Sequence, residues 1–165
     1  MLLDGFNHVA TLTGDAERLH AFYREVFDAE VVRAGPEVEG GHSVRLSVIR
    51  LGGRSELNVF EIDGNTEAQR QTPMFGRGRI DHLALQAASL EAFDTIRSRL
   101  MGAGASDGFV TDFGPILSVF FRDPDGLECE VCVPNPEALP GAHNPPGTPA
   151  ARYQVTGLGE GPTPS

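Results

Sequence analysis

The sequence predicts an α+β fold of two tandem βαβββ modules, each a curved mixed sheet covered by one helix. Three observations carry that reading. Phe6-Asn7-His8-Val9-Ala10 is answered by Ile80-Asp81-His82-Leu83-Ala84, each with a histidine at its centre. Glu56-Leu57-Asn58-Val59-Phe60 is answered by Glu128-Cys129-Glu130-Val131-Cys132, at nearly the same separation along the chain. Between each histidine and its closing segment lie one helix-period stretch and several runs that alternate like strands.

In the first module, residues 5–62, Phe6 to Leu12 is the opening strand. Residues 14–29 set Leu19, Phe22, Tyr23, Val26 and Phe27 at the i, i+3, i+4, i+7, i+8 spacing of an amphipathic helix. Glu30 to Arg33 is a short β-branched strand. Ser43 to Leu51 alternates, with Val44, Leu46 and Val48 on one face and Ser43, Arg45 and Ser47 on the other. Gly52-Gly53 turns the chain into a last strand, Glu56 to Ile62. There Leu57 and Val59 pack under the helix, leaving Glu56, Asn58 and Phe60 to face inward.

Residues 63–78 are polar and glycine-rich and read as a linker. The second module, residues 79–133, repeats the order. Arg79 to Gln86 is a strand, and Ser89 caps a helix that uses Leu90, Phe93, Ile96 and Leu100. Gly102 and Gly104 stop it. Gly108 to Asp112 and Ile116 to Arg122 are strands, Asp123-Pro124-Asp125-Gly126 is a turn, and Leu127 to Val133 closes the module. Period places Leu127, Cys129, Val131 and Val133 toward the helix, and Glu128 and Glu130 toward a cavity. Residues 1–135 are thus expected to form a single domain, and the Pro/Gly-rich residues 136–165 a tail that builds no core.

The 165 residues suffice for a real core. A formal charge of −10 argues against nucleic acid and anionic membrane surfaces as partners. All 13 basic residues are arginine, which excludes Schiff-base and other lysine chemistry. Asp4 interrupts Met1-Leu2-Leu3, so no signal peptide is expected, and no run reaches a membrane span. A cytoplasmic protein, of bacterial type, is expected. Cys129 and Cys132 spell Cys-x-x-Cys, but on a strand residues three apart point to opposite faces, so they read as buried, inert thiols.

A lone histidine on a strand is usually structural. Two at matching places in a repeat, each on an otherwise apolar strand, are hard to explain as packing and read as metal-ligand candidates. His20, His42 and His143 have no such counterpart and read as bland. By alternation, Arg45 and Arg122 are expected to face the cavity, where they could hold an anionic substrate group or pair at the surface. Phe60 and Phe120 would supply apolar walls.

The segments carrying the two histidines, together with Phe22-Tyr23-Arg24-Glu25-Val26-Phe27 and Phe121-Arg122-Asp123-Pro124-Asp125-Gly126-Leu127-Glu128-Cys129-Glu130, resemble the vicinal oxygen chelate superfamily. This is the glyoxalase/bleomycin resistance/dioxygenase group. The resemblance covers residues 5–133 and implies paired modules around a metal-bearing cavity, a small-molecule substrate and a homodimer. Members bind one divalent ion at positions that fall on His8, Asn58, His82 and Glu130. Asn58 departs from the glutamate of the isomerase branches, which use two carboxylates to move a proton beside a metal-bound carbonyl. Glu56 and Glu128 are the nearest substitutes, each two residues away along its strand.

What remains, His8, His82 and Glu130, is the ligand chemistry that favours Fe2+, with Mn2+, Zn2+ or Ni2+ also able to bind. Glu130 would also take part in catalysis, with Asn58, Phe60, Arg45, Phe120 and Arg122 contacting substrate. The ring-cleaving dioxygenases share this ligand set but place a histidine and a tyrosine ahead of the Asp-Pro turn. Here Phe120 holds the tyrosine position, and no histidine occurs between Asp107 and Arg122. The fosfomycin thiol-transferase branch is not supported by any lysine or potassium-loop feature. The expectation is a metal-dependent enzyme with dioxygenase-like or lyase-like chemistry on an oxygen-bearing chelating substrate. A non-catalytic protein that sequesters an antibiotic is the alternative.

Overall fold

Each module builds a four-stranded mixed sheet in the same order, so the sequence repeat is a repeat of structure. The computed structural model describes residues 2, 5–39, 42–70, 76 and 79–138, with 33–39 and 42 described by backbone alone. In the first module β1 (His8–Thr13), α1 (Ala16–Phe27), β2 (Glu30–Glu39), β3 (His42–Arg50) and β4 (Glu56–Ile62) follow in chain order. In the second they are β5 (Leu83–Gln86), α2 (Leu90–Gly102), β6 (Val110–Asp112), β7 (Ile116–Arg122) and β8 (Glu128–Pro134). The sheets run β1-β4-β3-β2 and β5-β8-β7-β6, so the opening strand of each module pairs in parallel with its last strand. Neither sheet closes on itself. The chain divides into two compact units at residues 71 and 72, inside the stretch read as linker.

Local chemistry sets the helix ends. Asp15 caps α1 by accepting from the Arg18 amide at 3.0 Å, and Asp28 ends it in the left-handed region at φ 53°. The buried stripe is Ala16, Leu19, His20, Tyr23 and Val26. Phe22 and Phe27 of the predicted stripe are only half-buried, flanking Tyr23 with ring centroids 5.5 Å away in each case. His20, read as bland, is fully buried against the sheet, its Nε2 2.6 Å from Ser47 Oγ. Ser89 caps α2 as predicted, accepting from the Ala92 amide at 3.1 Å.

Several strand boundaries differ from the sequence reading. β2 runs to Glu39 instead of ending at Arg33, because a register shift between Arg33 and Pro36 absorbs Ala34 and Gly35, and pairing resumes at Pro36. It is an edge strand, where a proline costs no ladder bond to a further neighbour. The opening strands begin at His8 and Leu83, later than Phe6 and Arg79. Phe6 and Ile80, two residues before each histidine, are exposed.

Pairing fixes which side chains share a face, since residues opposite one another in a ladder point the same way. Under α1 lie Ile49, Leu57, Val59 and Ser47, all buried. In the second sheet Cys129, Val131, Val133, Val119 and Phe121 form the buried face that α2 covers. No helix among the described residues is long and apolar enough to cross a membrane. The tail from residue 139 and His143 lie outside the described residues.

Candidate functional site

The face of the second sheet opposite to the one that α2 covers carries His82, Glu130, Phe120, Ser118 and Cys132. Glu130 on β8 pairs with Phe120 on β7 and with Ala84 on β5, and His82 stands two residues before Ala84. Asp81 Oδ2 lies 2.8 Å from His82 Nδ1. A carboxylate only accepts, so Nδ1 carries a ring hydrogen, and Nε2 is the nitrogen left to face a further partner. That Nε2 faces Glu130 Oε1 at 3.4 Å. A nitrogen and a carboxylate oxygen turned toward each other at this distance suit a proton or a cation between them. Two donors at about 2.1 Å from one ion, at a tetrahedral angle, lie about 3.4 Å apart, so the pair fits two ligand positions of a divalent metal.

Glu130 is held from its other side. Its Oε2 accepts from Ser118 Oγ at 2.6 Å, and residue 130 is only 8% exposed. The Phe120 ring stands edge-on to His82, with centroids 6.2 Å apart. Arg122 shares this face, yet its Nε and Nη2 already donate to Glu128 Oε1 at 3.1 and 2.6 Å. Glu128 is buried within that pair.

The first module presents the counterpart positions. His8 is exposed, and its Nδ1 lies 2.8 Å from Asn7 Oδ1, so its Nε2 is also the bare nitrogen. Asn58 shares the face of His8, pairing with Ala10 and Val48. Its Oδ1 is buried and has no hydrogen-bond partner among the described residues. Phe60 lies two residues on, half-buried on the same face beside Leu46. Glu56, opposite His8, accepts from Arg50 at 3.4 Å. An open recess of about 400 Å³, lined by residues that include Phe6, Asn7, Arg50, Arg54 and Glu56, adjoins this end of the sheet.

The structure corrects the placement of Arg45. It pairs with Glu61 on the face that α1 covers, and it donates to Glu61 at 3.2 Å and to Glu17 of α1. These contacts raise its pKa, the hydrogen bond that it donates to Glu17 most. The alternation of β3 holds, but its polar set turns to the helix, because Ser47 and Arg45 find partners there. Arg45 therefore does not share a face with Asn58 and Phe60. Cys129 and Cys132 point to opposite faces, are both buried, and form no disulfide among the described residues. Burial first, and then the Glu130 charge, push the Cys132 thiol up to about 11.

Within either module, among the described residues, no three His, Cys, Asp or Glu side chains gather at one point. The second module contributes two donors, His82 and Glu130. The sequence reading missed Asn7, Asp81 and Ser118. The first two carried a signal, since each is a polar acceptor immediately before a repeated histidine. Ser118 carried one too, as the hydroxyl that stands where the first copy of the repeat has Leu46.

A family model described as the Glyoxalase/Bleomycin resistance protein/Dioxygenase superfamily matches residues 5–131. A glyoxylase/bleomycin resistance protein/dioxygenase domain from Frankia sp. EAN1pec is similar at 25% identity and a TM-score of 0.62, covering 82% of this chain and 95% of that one. A lactoylglutathione lyase from Agrobacterium tumefaciens is 22% identical with a TM-score of 0.54, over 81% and 96% of the two chains. A variant of the fosfomycin resistance protein FosX from Listeria monocytogenes, complexed with Mn(II) and 1S,2S-dihydroxypropylphosphonic acid, is 18% identical with a TM-score of 0.54, over 79% and 92%. Among curated proteins no sequence matches.

Proposed function

Since the chain belongs to the glyoxalase/bleomycin resistance protein/dioxygenase superfamily, we propose that it is a metal-dependent enzyme acting on a small oxygen-bearing substrate, with His8, His82 and Glu130 holding one divalent ion. The observation that carries this reading is the meeting of His82 Nε2 with Glu130 Oε1 at 3.4 Å, with each partner fixed from behind by Asp81 and Ser118. His8 completes the set from the same chain or from a second copy in a homodimer. Two imidazoles and one carboxylate with open positions favour Fe2+, and Mn2+, Zn2+ and Ni2+ are the alternatives. The Mn(II) in the FosX relative supports an ion of this class.

When bound, such an ion polarises a chelating substrate oxygen. The chain's own groups do the rest. Phe120 and Phe60 provide apolar surface for the substrate body and keep water away from it. Asn58 Oδ1, buried without a donor among the described residues, accepts a hydrogen bond from a substrate hydroxyl or a water. Glu130 Oε1, turned to His82, serves the ion, while its neighbour Glu128 is committed to Arg122. In the first module the matching position is the neutral Asn58, and Glu56 is engaged by Arg50. Proton shuttling between two carboxylates is therefore poorly equipped, which favours dioxygenase-like over lyase-like chemistry.

The test is anaerobic reconstitution of the full chain with each of the four ions, followed by elemental analysis and a substrate screen read by oxygen uptake. One ion per chain, lost in His82→Ala and Glu130→Ala, is the expected result. Sub-stoichiometric uptake that His82→Ala leaves unchanged would sink the metal reading. A hydrophobic compound bound equally well by the metal-free protein and by Glu130→Ala, without turnover, would establish the antibiotic-sequestering alternative.

A further inference from the structure

We propose that Ser118 is a positioning residue that sets how Glu130 meets a metal ion, an inference that rests on His82 and Glu130 being ligands. Its hydroxyl is fully buried and lies 2.6 Å from Glu130 Oε2, the length of a charge-assisted O–H···O bond in which the hydroxyl donates. With Oε2 occupied, Oε1 alone is turned to His82. The carboxylate is thereby held to one-oxygen coordination.

The chain supplies its own control. The last two strands of each module correspond residue for residue, matching Leu46 with Ser118, Asn58 with Glu130 and Phe60 with Cys132. Leu46 pairs with Phe60, and Ser118 pairs with Cys132, at equivalent places in the two ladders. Where the repeat carries the neutral Asn58, the neighbouring pair is apolar and Oδ1 has no donor among the described residues. Where it carries Glu130, the neighbouring pair is a hydroxyl and a thiol, and Oε2 has one. A donor on this row accompanies the charge, and general packing does not demand it, because leucine fills the same place in the other module. A buried carboxylate oxygen without its donor costs free energy and turns toward any available cation.

Threonine and valine at this position differ by one hydroxyl and suit a strand equally, so they isolate the bond from the packing. The full chain, with Ser118→Thr and Ser118→Val, is titrated with Co(II) against a competing chelator while the visible spectrum is recorded. Ser118→Thr should keep the wild-type Kd and band shape. Ser118→Val should weaken binding about 10- to 100-fold and alter the band intensities as Oε2 joins the ion. Ser118→Ala, the smaller change, serves if the valine variant fails to fold, and metal-free thermal midpoints check each variant. Wild-type Kd and spectrum in Ser118→Val or Ser118→Ala, or an equal loss in Ser118→Thr, would overturn the positioning role and leave the ligands standing. Wild-type protein that takes up no Co(II) would overturn the ligand reading and the positioning role with it.

Discussion

Asp81 fixes the ring of His82: its Oδ2 lies 2.8 Å from Nδ1, which leaves Nε2 as the nitrogen turned to Glu130. Asn7 does the same for His8 at the same distance, but with a neutral amide oxygen. Removing such an orienting partner usually lowers metal affinity about 10- to 100-fold. Asp81→Ala should fall in that range by chelator competition. Asp81→Asn, which copies the Asn7–His8 arrangement, should lose less. Both side chains are about a quarter exposed, so urea denaturation should shift by no more than about 1 kcal/mol. Unchanged affinity in Asp81→Ala would remove the orienting role.

Much of this arrangement was legible in the sequence, because strand period and an internal repeat are both linear signals. The predicted bounds of β7 are the observed ones, Ile116–Arg122, and Ser89 is the cap of α2 that its side chain implies. The faces of β4 and β8 followed from alternation. What escaped depended on partners distant in the chain. Arg45 turned to the helix because Glu17 and Glu61 wait there, 28 and 16 residues away. β2 passed through Gly35-Pro36 because an edge strand tolerates a shift in register. Ser118 looked like one polar residue in an apolar run until pairing set it beside Glu130.

His20 and Ser47 tie α1 to its sheet, and both are almost without exposure. Ser47→Ala would leave His20 Nε2 in the core without this partner. The cost expected is about 1–3 kcal/mol, seen as a lower urea midpoint with an unchanged m-value. A loss within about 0.5 kcal/mol, the range of ordinary surface substitutions, would show that the bond contributes little.

Asp123 gives the stability a pH dependence of unusual sign. Burial pushes its carboxyl up to about 6, against the lowering effect of the Leu127 and Asp125 amides that donate to Oδ1. The residue as a whole is half-buried, but its acid group is enclosed by the turn whose amides point at it. The folded chain therefore holds this proton more tightly than the unfolded chain, where the value is 3.8. The stabilisation is fully present below about 4 and is lost as pH rises through about 6. Asp123→Asn keeps the acceptor oxygen for both amides and cannot ionise. Urea midpoints across this window should fall less with rising pH in Asp123→Asn than in the parent. Parallel profiles would exclude a raised Asp123 pKa.

Gly108 stands at φ +73°, and a Cβ built on it would lie 2.2 Å from Met101 Sδ and 2.7 Å from Met101 Cγ. Either backbone strain or collision could dominate in Gly108→Ala. Met101 is 46% exposed, and its thioether is flexible, so it can swing away at little cost. The left-handed backbone has no such escape and costs about 1–2 kcal/mol for a residue with a Cβ. Gly108→Ala should therefore lose about 1–2 kcal/mol in the parent and nearly the same in a Met101→Ala background. A double-mutant cycle by urea denaturation should give a coupling below about 0.5 kcal/mol. A coupling as large as the whole loss would mean that the collision, and not the backbone, requires glycine there.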